Sequence, residues 1–340
     1  MLEFDIYNRR YIGSKFRLKE WLKEKILSNT KGKVFFDVFS GTGIISQEFS
    51  EKYDKIIMND FLFSNNVIYK AFFNQASFSK EKIINIIKNF NEIDPFLLED
   101  NYFNLMFEEK YFGKNDSKKI GYIREKIENL YKSSKINDKE YSILLTSLIY
   151  SVDKIANTVG HYDSYIKKNI IDNKFIYGII NPLELKNKII EIHREDSNKL
   201  VRKIKADVAF VDPPYNGRQY SRFYHLLENL VKWEKPELFG ISLKPKQENM
   251  SGYSKMIAPE LFKDLVTNLN VKYICVTYNN TFNSNKVTAN RISFEEIKDT
   301  LEELGETKIL SINHKFFTTG KTNFKNHKEF LFITKVNKKS

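Results

Sequence analysis

Residues 34–60 constrain the fold more tightly than any other stretch of this 340-residue chain. Val34-Phe35-Phe36-Asp37-Val38-Phe39 is an apolar run broken by a single acid, the pattern of a strand covered on both faces. It stops at Ser40-Gly41-Thr42-Gly43. A helix is expected from Ile44 to Ser50, and a second apolar strand, Lys55-Ile56-Ile57-Met58, ends on Asn59-Asp60. A strand, a glycine turn, a helix and another strand are the signature of an open α/β sheet with ligands at its strand carboxyl ends.

Other segments extend that sheet. Strands are expected at Ile189–His193, Asp207–Val211 and Tyr273–Tyr278. Thr307–Phe317 and Glu329–Val336, separated by the polar loop Thr318–His327, should pair as an antiparallel hairpin at its end. Residues 63–185 differ in kind. Helical spacing runs through Lys82–Phe90, Ile120–Tyr131 and Glu140–Ile155, and no further glycine-ended strand appears. That segment is read as an inserted, mainly helical domain, with residues 1–62 and 186–340 forming the other. Near the start, Tyr11-Ile12-Gly13-Ser14-Lys15 reads as a loop before an amphipathic helix carrying Leu18, Trp21, Leu22 and Ile26, with Ser14 as its expected cap.

Composition excludes several classes. Cys275 is the single cysteine, inside an apolar run, so neither a disulfide framework nor a Cys-x-x-Cys metal site is available. His161 and His225 have no partner ligands at metal spacing, and no metal is expected. The N-terminus lacks a basic-then-apolar signal, and no apolar run approaches about 18 residues, so a cytoplasmic, soluble protein without a membrane partner is expected. The net charge of +12 is uneven: residues 186–340 carry 27 Lys/Arg against 18 Asp/Glu, while residues 1–62 carry 11 against 9 and residues 63–185 carry 17 against 16. A local excess of that kind suits a polyanion-binding face, and it equally suits a solubilising lysine surface.

Two motifs carry chemistry. In the first, Gly41 and Gly43 let the backbone approach a ligand closely, and the helix start offers free N–H groups. Asp60, at the end of the next strand, is placed to hold the two hydroxyls of a ribose. A nicotinamide dinucleotide site usually has a third glycine, which this turn lacks. Asp37 suits instead a cofactor that presents an ammonium group. The second motif is Asp212-Pro213-Pro214-Tyr215, at the end of an expected strand, in a chain with only seven prolines. The two prolines fix the backbone. The turn then offers the Asp212 carboxylate and the Pro213 carbonyl as two acceptors beside an aromatic face, the complement of an exocyclic amino group on a planar base.

These two motifs in this order resemble the S-adenosylmethionine-dependent DNA adenine-N6 methyltransferases, and their sequence along the chain is similar to the alpha, Dam-like group. The resemblance implies a Rossmann-like methyltransferase sheet, mostly parallel with a C-terminal antiparallel hairpin, and an inserted target-recognition domain at 63–185. It implies that Tyr11 and Lys15 line the methionine end of the cofactor. Asp37, Phe39, Gly41 and Gly43 would form its bed, Asp60 would hold the ribose and Asp196 would face the adenine, with Asp212 shared between cofactor and base. Asp212, Pro213, Pro214 and Tyr215 would be the catalytic set, with Tyr215 stacking on a flipped adenine.

Two further stretches are similar to methyltransferases of restriction–modification systems: Arg218-Gln219-Tyr220-Ser221-Arg222-Phe223-Tyr224-His225-Leu226-Leu227-Glu228, and Ala156-Asn157-Thr158-Val159-Gly160-His161-Tyr162-Asp163-Ser164-Tyr165. The resemblance implies duplex DNA as partner, contacted by Arg218, Gln219, Tyr220, Arg222, Asn157, His161 and Tyr162, and a separately encoded restriction endonuclease. His161 and Tyr162 follow a glycine after a long helix and are expected on an exposed turn, with a capped loop as the equal alternative, and Leu226, Leu227 and Leu230 read as helix packing on the sheet. An RNA adenine, a cytosine N4 amino group, or DNA binding without catalysis are the competing functions, with a nicotinamide dehydrogenase more distant.

Overall fold

A computed structural model describes residues 1–167, 172–214, 217, 219–280, 291–313 and 328–337. The described strands are, in chain order, β1 (Glu3–Phe4), β2 (Val34–Asp37), β3 (Lys55–Asn59), β4 (Ile179–Ile180), β5 (Ile189–His193), β6 (Val208–Val211), β7 (Tyr273–Asn279), β8 (Gly305–Asn313) and β9 (Lys328–Val336). Two compact units share the chain. One comprises Met1–Ser14, Leu62–Leu185 and Tyr220–Glu248, the other Lys15–Phe61, Lys186–Gln219 and Asn249–Ser340.

The second unit is built on a seven-stranded sheet of order β5-β3-β2-β6-β7-β9-β8. Its first five strands are parallel, and β9 runs antiparallel to both β7 and β8. Both faces are covered, as continuous apolar runs require. Phe36, Ala209 and Ile274 enter one buried cluster with Phe262, Leu265 and Val266 of the helix Ala258–Asn268. Phe35 points the other way and stacks on Phe49 of the helix Ile44–Ser50, with ring centroids 4.5 Å apart. Cys275 is buried within β7, and burial pushes its thiol well above the ordinary range. The expected hairpin is present as β8 and β9; residues 314–327 lie outside the described residues.

Ser14 does not cap the first α-helix. The chain first makes a 3-10 turn, Phe16–Leu18, closed by the Leu18 N–H donating to the Lys15 carbonyl at 2.9 Å. The α-helix starts only at Lys19, without a side-chain cap.

The first unit is mainly helical. It takes in residues 1–14 and 220–248 as well as the insertion expected from sequence. The helix Asp138–Ile155, buried along most of its length, begins at an Asn137/Glu140 capping box, which satisfies two orphan N–H groups reciprocally. The helix Phe63–Phe73 is held at both ends. The Glu228 carboxylate accepts the Phe63 and Ser64 N–H groups at 2.9 and 2.8 Å, and the Lys139 amine donates to the Ala71 and Asn74 carbonyls at 2.6 Å each. An anion at the N-terminus and a cation at the C-terminus complement the helix dipole. Burial lowers the Lys139 amine to about 8.

Candidate active site

The chain leaves β2 for β3 and β5 on one side of the sheet and returns to β6 and β7 on the other. Ligands of open α/β sheets bind at such a switch point, outside the strand carboxyl ends. Here the switch point carries Asp37 at the end of β2 and Asp212 directly after β6, on neighbouring parallel strands.

Asp37 is 1% exposed. Its Oδ2 accepts the Ser46 hydroxyl at 2.7 Å, whereas its buried Oδ1 has no hydrogen-bond partner among the described residues. Burial raises its pKa to about 7 against the Ser46 hydrogen bond, with the charges of Asp212 and Asp60 adding to the rise. A buried carboxylate oxygen without a donor marks a place where a cationic or N–H-bearing group belongs. Gly41 and Gly43 follow with φ of 51° and 78°, left-handed values that a side chain would strain. The Gly41 N–H donates to Asp60 Oδ2 at 3.0 Å, which fixes that carboxylate beside the turn. Phe39 is half-buried, edge-on to Tyr253.

Asp212 is held from two sides. Its Oδ2 pairs with Lys15 Nζ at 2.7 Å, and its Oδ1 accepts the Thr277 hydroxyl at 2.7 Å. The strand register explains the second contact. Val211 pairs with Val276, so the next residue of each strand, Asp212 and Thr277, come together at the sheet end. The Lys15 side chain is 8% exposed. Burial works against its charge, but Asp212 and Glu329 outweigh it and hold the amine above its ordinary range. Lys15 thus meets Asp212 directly, a contact the sequence does not announce. Pro213 is buried and Pro214 half-buried; Tyr215 lies outside the described residues. Asp196 is exposed and caps the four-residue helix Ser197–Leu200 by accepting the Lys199 N–H.

Residues 11–291 match the family of D12 class N6 adenine-specific DNA methyltransferases. The chain belongs to this family. Among curated relatives it is 28% identical to the Type II methyltransferase M.NlaIII of Neisseria lactamica, over 94% of this chain and 95% of that one. It is 33% identical to the Type II methyltransferase M.FokI of Planomicrobium okeanokoites, over 79% of this chain and 44% of the relative. It is 31% identical to the modification methylase LlaI of Lactococcus lactis subsp. lactis, over 80% and 46%. The chain therefore spans under half the length of the last two.

In this D12 methyltransferase, the other residues singled out from sequence have structural partners. In the helical unit, the Tyr11 ring stacks on Tyr224 at 4.8 Å and lies 5.4 Å from Tyr220, whose hydroxyl donates to the Ile12 carbonyl at 3.2 Å. Tyr162 is fully buried, with its hydroxyl on Asp153 Oδ1 at 3.0 Å, so its side chain pins the turn from inside. Asn157 donates to the Lys110 and Ile166 carbonyls at 3.1 and 2.8 Å. His161 is half-buried and stacks on Phe223 at 4.8 Å. Arg222, also half-buried, donates to the Pro245 carbonyl at 2.7 Å.

Gln219 belongs to the sheet unit, where its amide exchanges two hydrogen bonds with the Ser251 backbone, each 2.8 Å. Arg218 lies outside the described residues. No group of three or more His, Cys, Asp or Glu that could hold a metal occurs among the described residues, and none of their helices is long and apolar enough to cross a membrane.

Proposed function

We propose that this chain transfers the methyl group of S-adenosylmethionine to the N6 amino group of an adenine flipped out of duplex DNA, as the modification enzyme of a restriction–modification system. Family membership supports the reaction class, and the methylases among the relatives support the restriction–modification setting. The observation that carries the reading is the pair of acids at the switch point: Asp37 with one buried, unpartnered oxygen, and Asp212 already neutralised by Lys15.

The residues fit the cofactor. Asp37 Oδ1 lacks a donor, and the cofactor's ammonium supplies one. The left-handed glycines leave room for a close ligand, and Asp60, tied to the Gly41 N–H, is the ribose holder in this reading. When bound, S-adenosylmethionine supplies an electrophilic methyl group on a sulfonium. The protein must then make a poor nucleophile attack it, because the adenine N6 lone pair is conjugated into the ring. Asp212 and the Pro213 carbonyl accept its two N–H bonds, favour a more sp³-like nitrogen and stabilise the positive charge that grows there. These acceptors are set before the reaction, so they act by alignment and electrostatic preorganisation. Lys15, 2.7 Å from Asp212 Oδ2, is the carboxylate's charge partner. A base inside a duplex cannot reach a strand end, so flipping is required, and Tyr215 is assigned the stacking role. Base-edge contacts from the helical unit would set sequence choice, while Arg218, Gln219, Tyr220 and Arg222, which follow the catalytic turn in sequence, would meet the DNA around the flipped base. A separately encoded endonuclease reading the same site would be the cognate partner.

Asp212→Asn tests the assignment. Methyl transfer to duplex DNA is expected to fall by about 10²–10³-fold, the scale of removing one preorganised group. Cofactor affinity, measured by calorimetry, should stay within about threefold, since the cofactor's ammonium is held by Asp37 and not by Asp212. Undiminished turnover in the variant would show that Asp212 does not hold the amino group.

A further inference from the structure

The catalytic carboxylate carries an arrangement that the two sequence motifs do not contain. Asp212 has two soft side-chain torsions, and a carboxylate at a sheet end can rotate unless something opposes it. Lys15 supplies charge to Oδ2, but an ammonium on a flexible four-carbon stem fixes orientation poorly. Thr277 differs. It is 1% exposed, it sits on a strand paired on both sides, and a β-branched side chain has few χ1 choices. Its hydroxyl reaches Asp212 Oδ1 at 2.7 Å, the length of a charge-assisted hydrogen bond, and must be the donor because an ionised carboxylate only accepts. An ionised carboxylate offers about four lone-pair sites. Thr277 and Lys15 use two of them, which leaves the others at a fixed angle for an incoming donor.

We propose that Thr277 is a positioning residue for the reaction: its hydroxyl sets the rotation at which Asp212 presents its remaining lone pairs to the acceptor amino group. The role rests on the methyltransferase reading above and sharpens it. Lys15 supplies the carboxylate's ion-pair partner, and Thr277 decides where the carboxylate points. Neither touches the reacting nitrogen.

Thr277→Val keeps the shape of the side chain and removes only the donor, and Thr277→Ser keeps the donor. Single-turnover methyl transfer to duplex DNA, with cofactor saturating, is expected to slow about 10- to 100-fold in Thr277→Val, the range for a lost hydrogen bond to a charged group. Thr277→Ser should recover to within about threefold of wild type, since it retains that bond. Cofactor and DNA dissociation constants and the melting temperature should barely move.

The inference is overturned if Thr277→Val keeps the wild-type rate, if Thr277→Ser is as slow as Thr277→Val, or if the loss tracks a fall in cofactor binding or melting temperature. A wild-type protein that moves no methyl group to DNA would overturn the function itself. A wild type that does, matched by Thr277→Val, would overturn only the role of Thr277.

Discussion

Asp37 and Asp212 end neighbouring strands and yet stand in opposite electrostatic conditions. Asp212 has a cation in contact, whereas Asp37 has a serine hydroxyl on one oxygen and nothing on the other. Burial therefore raises Asp37 to about 7. Between 3.8 and about 7 the folded protein holds a proton that the unfolded chain has lost. Stability of the free protein then falls as pH rises through that window and levels off above it. Binding of a cationic ligand runs the other way, because only the ionised carboxylate attracts it. Affinity for S-adenosylmethionine is expected to rise about tenfold per pH unit between pH 5 and 7, then flatten. In Asp37→Asn it should be weak and nearly independent of pH. Calorimetric titration across that range checks both, and a flat wild-type profile would detach Asp37 from the ammonium.

The acids of the candidate site were readable because they lie in short, unusual strings: Asp212-Pro213-Pro214, and Asp37 before a double-glycine turn. Thr277 and the Lys15–Asp212 contact were not. Each joins residues far apart in the chain through strand register, and no local pattern reports register. Tyr162 shows the converse. The glycine at 160 signals a turn correctly, but burial of the next aromatic follows from Asp153 reaching its hydroxyl.

Among elements, the parallel strands were the most legible, since burial on both faces writes them as unbroken apolar runs. Ile189–His193 and Lys55–Asn59 fall where the sequence puts them. The first helix was misjudged at its start because a 3-10 turn, not a cap, leads into it. The helix Phe63–Phe73 could not be fully understood from its own residues, since the groups that close its ends come from positions 139 and 228. Glu228 is 4% exposed and satisfies two backbone donors there. Glu228→Ala should cost about 1–2 kcal/mol, the scale of a lost N-cap. Thermal unfolding should then drop by about 2–4 °C per kcal/mol for a unit of this size. An unchanged melting temperature would mean that other groups cap this helix adequately.

At the scale of the whole molecule, one sheet topology gathers the chemistry, and a helical unit assembled from three chain segments accompanies it. The sheet explains why an acid at residue 37 and another at residue 212 end side by side, with the glycine turn next to them. The match over residues 11–291 runs through both units, so the helical segments belong to the same family architecture as the catalytic strands. The most direct measurement is to incubate the purified protein with duplex DNA and S-adenosylmethionine, digest the DNA to nucleosides, and identify the methylated one by mass spectrometry. N6-methyladenine as the sole new nucleoside, absent with Asp212→Asn, is the predicted result; N4-methylcytosine, methylation of RNA in place of DNA, or no methylated nucleoside would contradict it.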